Sequence, residues 1–599
     1  MTKANNLLTR IKEELEVQFS KNGKFTSEIL TLILRIKNKK DHYSIVRKNM
    51  DGIAINKNSS AYHALKNLLQ ENPQVLDELA IISDRAITYK EMFDEIEKLA
   101  NFMHFELKCQ KGENISICAA GSVEGIVSFF SMNKLGLVNA RIFNGISEEK
   151  MKANIINFNS KTIMIDEKNL KRLIPIANQT TIENVVLTTQ CDEKLIQEFQ
   201  EKNPNIKIYT WYQALNIGAS FNQKYTEGVS HDDTASILYT SGSSGEAKPI
   251  SLSNKVYTSM VNIVCNTTNT KRCDGEKVVG VVSHEYPYAA INSTIMIILL
   301  GKTLIIPKQR NKGLEFNDLL SQKPDRIQAI PNFYKLLETT ECLGMLATEN
   351  LSNLNSVISG GEMYHINEKK KLLRFLKRIK STPLLIDGFG FGELGSATAL
   401  KFGLCEYFLL MNGIEAKALD PDTLRELPPD SEGILAFTGP TIAQGYYNNE
   451  EATKKSFVYD ENNKKWFISD TYGSVHGKDK RLIKLGGRIR EFFITSDKEG
   501  NFVKVYAGNI EDVLSSSGIV KDCIVVPSGD SATPEPIAYI SLRNDCNLDQ
   551  ESIIDILKRK CESLEDFSRP AKYVFEEEIS RTPAGKKDYT TYRNRAMSK

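Results

Sequence analysis

Residues 237–254 read ILYTSGSSGEAKPISLSN, a short apolar run, a loop of small residues and then a lysine. Ile237, Leu238 and Tyr239 read as the end of a buried strand. Behind them Thr240, Ser241, Gly242, Ser243, Ser244 and Gly245 offer hydroxyls and backbone N–H groups that a turn with few side chains can point inward. Lys248 follows as a mobile positive charge. A loop of this kind can wrap an anionic triphosphate. It is not the Walker pattern, because no Gly-Lys-Ser/Thr follows the glycines. A plain Ser/Gly linker has the same composition, and the position after a strand tells against it.

Activation by ATP needs more than a phosphate cradle: a metal acid, a clamp for ribose and base, and a lysine at the reacting oxygen. Asp387-Gly-Phe-Gly-Phe-Gly-Glu393 is a glycine-spaced loop in which Phe389 can stack on a base. Its Glu393 is a carboxylate suited to Mg²⁺. A core aromatic and a solvated loop acid are the plainer readings of these two residues. Asp470 ends the apolar run Trp466-Phe-Ile-Ser-Asp and can accept hydrogen bonds from two ribose hydroxyls. A turn-capping aspartate would look the same. Arg488, after Gly486 and Gly487, can pair with phosphate or ribose oxygens, or be a surface charge. Residues 581–588, RTPAGKKD, form a turn presenting Lys586 and Lys587.

The elements that must hold these residues follow from size and texture. At 599 residues the chain is too long for one core, so at least two domains are expected. Hydrophobic residues are 41 % and charged residues 25 %, as in folded soluble proteins. Lys plus Arg number 77 against 75 for Asp plus Glu, so no global basic field recruits nucleic acid. The 10 cysteines are scattered singly, which suits a reducing cytosol, and the N-terminus lacks a signal-peptide core. The most apolar stretch, 291–306, is broken by Asn292, Gly301 and Lys302 and reads as a buried helix running into a buried strand, not a membrane span. The expected compartment is the cytoplasm.

Residues 1–60 are polar with helical periodicity and read as an N-terminal extension. Beyond them, residues 84–89 resemble a small hairpin and 89–107 carry apolar residues at helical spacing. Short strands at 114–120, 162–165, 206–209, 303–307 and 327–330 alternate with helices, which predicts a layered α/β body. After Arg488 the texture changes. A hairpin over 491–505, a helix over 509–516, strands at 523–526 and 537–542 and a helix over 551–560 predict a compact α/β unit of about a hundred residues.

Taken in order, these segments resemble the adenylate-forming superfamily of acyl- and aryl-CoA synthetases, luciferases and peptide-synthetase adenylation domains. The resemblance runs from about Ala61 to Met597, about nine-tenths of the chain. TSGSSG-EAK is similar to the family's phosphate loop TSGSTG-x-PK, with Ala247 in place of proline. The resemblance gives Ser243 and Ser244 the grip on the β- and γ-phosphates. GFGFGE is similar to the family's YG-x-TE: Phe389 takes the adenine-stacking position, Gly392 replaces the threonine and Glu393 takes the Mg²⁺ ligand. Asp470 matches the ribose-binding aspartate and Arg488 the arginine that follows it. Gly360 and Gly361, in SGGE, match the segment lining the acyl and adenine pocket. GPTIAQGYYNN, residues 439–449, matches a further family segment. Lys586 takes the place of the lysine that contacts carboxylate and α-phosphate oxygens.

The implied fold is α/β, with a large multi-sheet N-terminal body (61–489, binding ATP and carboxylate) and a small mobile α+β C-terminal domain (490–599) carrying Lys586. The implied reaction joins a carboxylate to Mg·ATP, releasing pyrophosphate and leaving an acyl-adenylate. Rotation about Arg490 then admits a thiol, from CoA or from the phosphopantetheine of a carrier protein. The sequence departs from the family in the second half. Arg490 stands where the family more often has aspartate or lysine, and Ala507 where the thiol-channel loop usually has glycine. The segment between Glu491 and Lys504 is also longer than the familiar motif.

His284 and Tyr288 are candidates for the pocket that takes the small-molecule carboxylic acid, and a structural histidine or aromatic wall is the plainer alternative. Amino acids are disfavoured rather than excluded: no aspartate stands where an ammonium group would need one, though Glu285 could substitute. A stand-alone amino-acid adenylating enzyme loading a carrier in trans stays open, as does a non-catalytic nucleotide-binding homologue.

Overall fold

Thr162–Ile165 is buried at all four positions, as a parallel strand covered on both faces must be. It belongs to an eight-stranded sheet whose parallel part runs through Thr234–Tyr239, Val138–Arg141, Asn114–Cys118, Thr162–Ile165, Asn184–Leu187 and Lys207–Thr210. Pro249–Ser253 and then Gly445–Tyr446 extend its other edge antiparallel. The computed structural model describes residues 59–597 apart from 120, 144–145, 223–224, 226–227, 241–247, 269, 281–287, 307–320, 336–350, 362–363, 365, 379, 396, 404–406, 422, 478–479, 489–491, 497, 499–501, 529–533 and 582–586. Residues 1–58 of the expected extension, residues 241–245 of the phosphate loop, His284, Arg490 and Lys586 thus lie outside the described residues. So do the side chains of Tyr288 and Arg488.

A second sheet of fourteen strands has a parallel centre, in which Lys277–Gly280, Thr303–Ile305, Arg326–Ala329, Ser356–Gly360 and Leu384–Gly390 lie side by side. An antiparallel wing continues it through Ala397–Phe402, Phe408–Leu410, Leu482–Arg488, Lys465–His476 and Glu432–Thr438. The main core lies between the sheets and includes Phe129, Phe130 and Met132 with Ile295, Ile298 and Leu299. The apolar stretch of 291–306 is the buried helix Tyr288–Leu299 followed by the strand Thr303–Ile305, as its interruptions predict.

The smaller C-terminal part has cores of its own. It holds the hairpin Phe492–Ser496 with Phe502–Tyr506 and a three-stranded sheet of Val520–Pro527, Pro536–Leu542 and Lys572–Glu576. The helices Ala507–Ser515 and Gln550–Cys561 pack on it. The chain thus has the expected α/β architecture, a large multi-sheet body and a smaller C-terminal domain. Two local expectations shift. The helix predicted over 89–107 starts at a capping box of Thr88 with Glu91 and gives way to a π-turn at Phe102–Glu106. The DGFG part of the predicted loop is the end of the strand Leu384–Gly390, because it pairs on both sides with Ser356–Gly360 and Ala397–Phe402.

Candidate active site

Thr240 and Lys248 form the neck of the glycine-serine loop. The Thr240 N–H donates to the Lys248 carbonyl at 2.8 Å, continuing the antiparallel pairing of Thr234–Tyr239 with Pro249–Ser253. The Lys248 ammonium lies 5.4 Å from the centroid of the Tyr446 ring, within cation–π range. Tyr446 sits there because its strand pairs with Pro249–Ser253, Tyr446 opposite Ile250.

The Tyr446 hydroxyl donates to Glu393 Oε1 at 2.8 Å. Glu393 is 8 % exposed, in the short turn Gly392–Leu394 after the GFGF strand, so the plain reading of a solvated acid does not hold. Burial raises the Tyr446 phenol far above its ordinary range, and the Glu393 carboxylate and then Asp470 add to the shift. The hydroxyl stays protonated as a donor. One tyrosine thus joins the lysine after the loop to the proposed metal acid, which the motif reading missed although it quoted GYYNN. Gly392 lies against Thr240, where an added Cβ would stand 3.4 Å from the threonine Cγ2. That is ordinary contact, and the structure does not explain the glycine.

Asp470 lies in the middle of the strand Lys465–His476, half-buried, where the sequence put it at a strand end. Its Oδ2 is buried and, among the described residues, has no hydrogen-bond partner. An orphaned carboxylate oxygen is costly unless a donor arrives, and a ribose hydroxyl is such a donor. The antiparallel register sets Arg488 opposite Thr471, next in chain to Asp470. This backbone placement sets the two at neighbouring register positions.

Phe389 is half-buried, with its ring 5.0 Å from Phe391, 5.8 Å from Phe408 and 6.0 Å from Phe437. It is partly the core aromatic of the plainer reading and keeps one part exposed. Gly360 pairs with Gly388, and a Cβ on it would come within 3.2 Å of the Gly388 carbonyl oxygen. Gly361 follows at φ +85°, a left-handed conformation that favours glycine. Tyr288 opens the helix Tyr288–Leu299. Asp387 is a structural acid, ion-paired with Lys369 and, at 3.3 Å, with Lys401.

The structure also sorts the two C-terminal lysines. Lys587 donates to Glu511 Oε2 at 2.7 Å and lies 3.5 Å from Asp522. Glu511, 2 % exposed, accepts from the Val525 N–H at 2.9 Å and the Tyr589 hydroxyl at 2.8 Å through its other oxygen. Arg581 pairs with Asp522 at 2.5 Å, and the backbones of Arg581 and Lys587 form an antiparallel β-bridge. Lys587 is committed to structure, and both ends of the segment carrying Lys586 are anchored. Among the described residues, contact between the body and the C-terminal part includes the Tyr506 hydroxyl donating to Glu432 at 3.1 Å. Ala507 is the first residue of its helix and 2 % exposed.

Comparison with known proteins decides what this arrangement is. A family model described as "AMP-binding enzyme" matches residues 70–447. The chain belongs to this family. It is an adenylate-forming enzyme that activates a carboxylic acid with ATP. Among relatives, the enzyme is 23 % identical to 4-coumarate–CoA ligase-like 3 of Arabidopsis thaliana, over 84 % of this chain and 86 % of that one. It is 20 % identical to a long-chain-fatty-acid–CoA ligase of Escherichia coli O6:H1, over 88 % and 94 %. The fold matches a crystal structure of the anthranilate CoA ligase AuaEII in complex with anthranoyl-AMP, with TM-score 0.73 and 18 % identity over 91 % and 98 % of the chains. It also matches ATP-bound MatB from Rhodopseudomonas palustris, with TM-score 0.72 and 17 % identity over 90 % and 99 %. Among the described residues no helix of the enzyme is long and apolar enough to cross a membrane.

Proposed function

We propose that the enzyme converts an acyl or aryl carboxylic acid to its adenylate and then to a thioester, with CoA as the acceptor. Relatives named as CoA ligases support that acceptor. The observation that carries the reading is the convergence of Lys248 and Glu393 on Tyr446, with a buried carboxylate oxygen on nearby Asp470 that has no hydrogen-bond partner among the described residues. In this reading residues 61–489 bind ATP and acid, and residues 490–599 bring Lys586 to them and withdraw it about Arg490.

The loop residues 240–245 and Lys248 hold the triphosphate. Phe389, Gly360 and Gly361 border the adenine, Asp470 accepts from the ribose hydroxyls, and Arg488 pairs with ribose or phosphate oxygens. Tyr288 and His284 border the acid. Lys586 offsets negative charge as the carboxylate oxygen bonds to the α-phosphorus and pyrophosphate leaves. Glu393 would hold Mg²⁺: it is a buried carboxylate in the turn after the glycine-spaced strand, beside the Tyr446 ring that Lys248 faces. Mg²⁺ would supply charge neutralisation on the phosphates. The singly scattered cysteines support a cytoplasmic setting.

The test is acid-dependent exchange of labelled pyrophosphate into ATP over fatty, aryl, hydroxy and amino acids, followed by CoA-dependent AMP release with any responder. An acyl or aryl acid that supports both fits the proposal. Exchange confined to amino acids, or adenylate formed but never passed to CoA, would refute it.

A further inference from the structure

A narrow cavity lies where the two large sheets of the body meet. Gly121, Ser122, Gly125 and Arg141 line it from one sheet, and Thr294 and Ile306 from the other side. Gly121 follows the strand Asn114–Cys118, Arg141 ends Val138–Arg141, and Ile306 follows Thr303–Ile305. These are carboxyl ends of parallel strands, the side of an α/β sheet on which ligands bind. Arg141 is one residue beyond Ala140, which pairs with Ile237 in the strand that runs on to Thr240. The cavity and Thr240 therefore share one end of the sheet.

The cavity is built for negative charge. Arg141 is 6 % exposed and its Nε is buried without a hydrogen-bond partner. Among the described residues no carboxylate is ion-paired with it. The ionisable groups acting on it are the phenol of Tyr257 and the thiol of Cys118, and burial pulls its pKa down to about 10. The helix Val123–Lys134 begins at the same place, capped by Ser122 Oγ, which accepts from the Gly125 N–H at 3.1 Å. Its first-turn N–H groups add positive potential. Glu124, in that first turn, is engaged by Arg85 at 3.0 Å. A buried guanidinium without a counter-charge is costly, and a compact anion removes the cost. The space admits about one water-sized group, so it takes a small ion or the tip of a larger ligand.

We propose that Arg141 and the first turn of Val123–Lys134 form an anion subsite that takes a small ion or the tip of a larger anionic group. Two sources share that chemistry: a second anionic group on the acid being activated, or a free anion held beside it. Thr294 stands about 9 Å along the helix axis from Tyr288, six residues at the usual rise. If Tyr288 borders the acid, as proposed above, that spacing suits an acid reaching past it into the cavity. This second part rests on the proposed acid activation, whereas the subsite itself does not.

The experiment uses the full chain with Arg141→Met and Arg141→Lys. Thermal unfolding is followed while acetate or chloride replaces a bulky sulfonate buffer anion at constant ionic strength. The subsite predicts saturable stabilisation of the unmodified chain, a weaker response in Arg141→Lys and none in Arg141→Met. An equal response in all three, or none in the unmodified chain, overturns the subsite. Pyrophosphate exchange with matched mono- and dicarboxylic acids then separates the sources. A loss of about tenfold or more in kcat/KM for the diacid alone in Arg141→Met makes the substrate the occupant. Equal behaviour of the two acids, with the anion response intact in the unmodified chain, makes it a free anion. Silence with every acid would refute the adenylation reading and leave the unfolding measurement to decide the cavity.

Discussion

Glu511→Gln tests whether the C-terminal lysine segment is held by the ion pairs beneath it. Glu511 accepts from Val525, Tyr589 and Lys587, all within 2.9 Å. Burial alone would lower the Lys587 pKa, but Glu511 and Asp522 more than offset it and the ammonium stays charged. A glutamine keeps the shape and an acceptor for Val525 and removes the charge. Lys587 then depends on Asp522 at 3.5 Å, which Arg581 already engages. Breaking a buried pair outright costs about 3–5 kcal/mol, and with Asp522 remaining the expected cost is about 2–3 kcal/mol. Much of it falls on residues 581–587, whose two ends these pairs anchor. Pyrophosphate exchange, which needs Lys586, should fall at least about tenfold, since 1.4 kcal/mol is a factor of ten. Transfer from a preformed acyl-adenylate to the thiol should stay within about twofold. Lys586→Ala is the reference, with a larger loss in exchange and the same sparing of transfer. Equal losses in both half-reactions would refute the argument, as would full exchange activity in a Glu511→Gln protein whose unfolding midpoint has dropped. If Lys586→Ala itself spares exchange, the assignment of Lys586 fails instead.

Tyr446→Phe removes the donor to Glu393, a hydrogen bond to a charged group worth about 1.5–3 kcal/mol. A matching rise of roughly ten- to a hundredfold in the KM for Mg·ATP is expected, and an unchanged value would detach Tyr446 from the site. Asp470→Ala should weaken ATP use with every acid, and a defect confined to one acid would move Asp470 to the acyl pocket. His63 has its pKa lowered from the ordinary 6.5, first by burial and then by Lys66. Its contribution to stability is present above pH 6.5 and lost as the pH falls through the lowered value. His63→Gln should therefore flatten the acid side of the stability–pH profile just below pH 6.5, and an unchanged slope would refute the assignment.

The sequence alone specified the order of the segments and their chemical types. A glycine-serine loop after a strand, an acid after glycine-spaced aromatics and an aspartate after an apolar run are local patterns, written in consecutive residues. The same locality made strands such as Thr162–Ile165 legible to the residue, since complete burial leaves a run with a single polar residue, Thr162, at its start. Contacts between distant segments were not legible. The register that sets Arg488 opposite Thr471 depends on how two strands slide past each other. Tyr446 meets Glu393 and Lys248 only because its short strand joins the far edge of another sheet. RTPAGKKD offered two equal lysines, and Glu511 and Asp522, some 65–75 residues earlier, decide which one is committed to structure. Arg141 gave no signal, because an arginine ending a strand looks like any surface charge until the other sheet closes over it. Local patterning dictates elements and residue types, while burial and charge pairing are properties of the packed layers and exist only once the sheets have met.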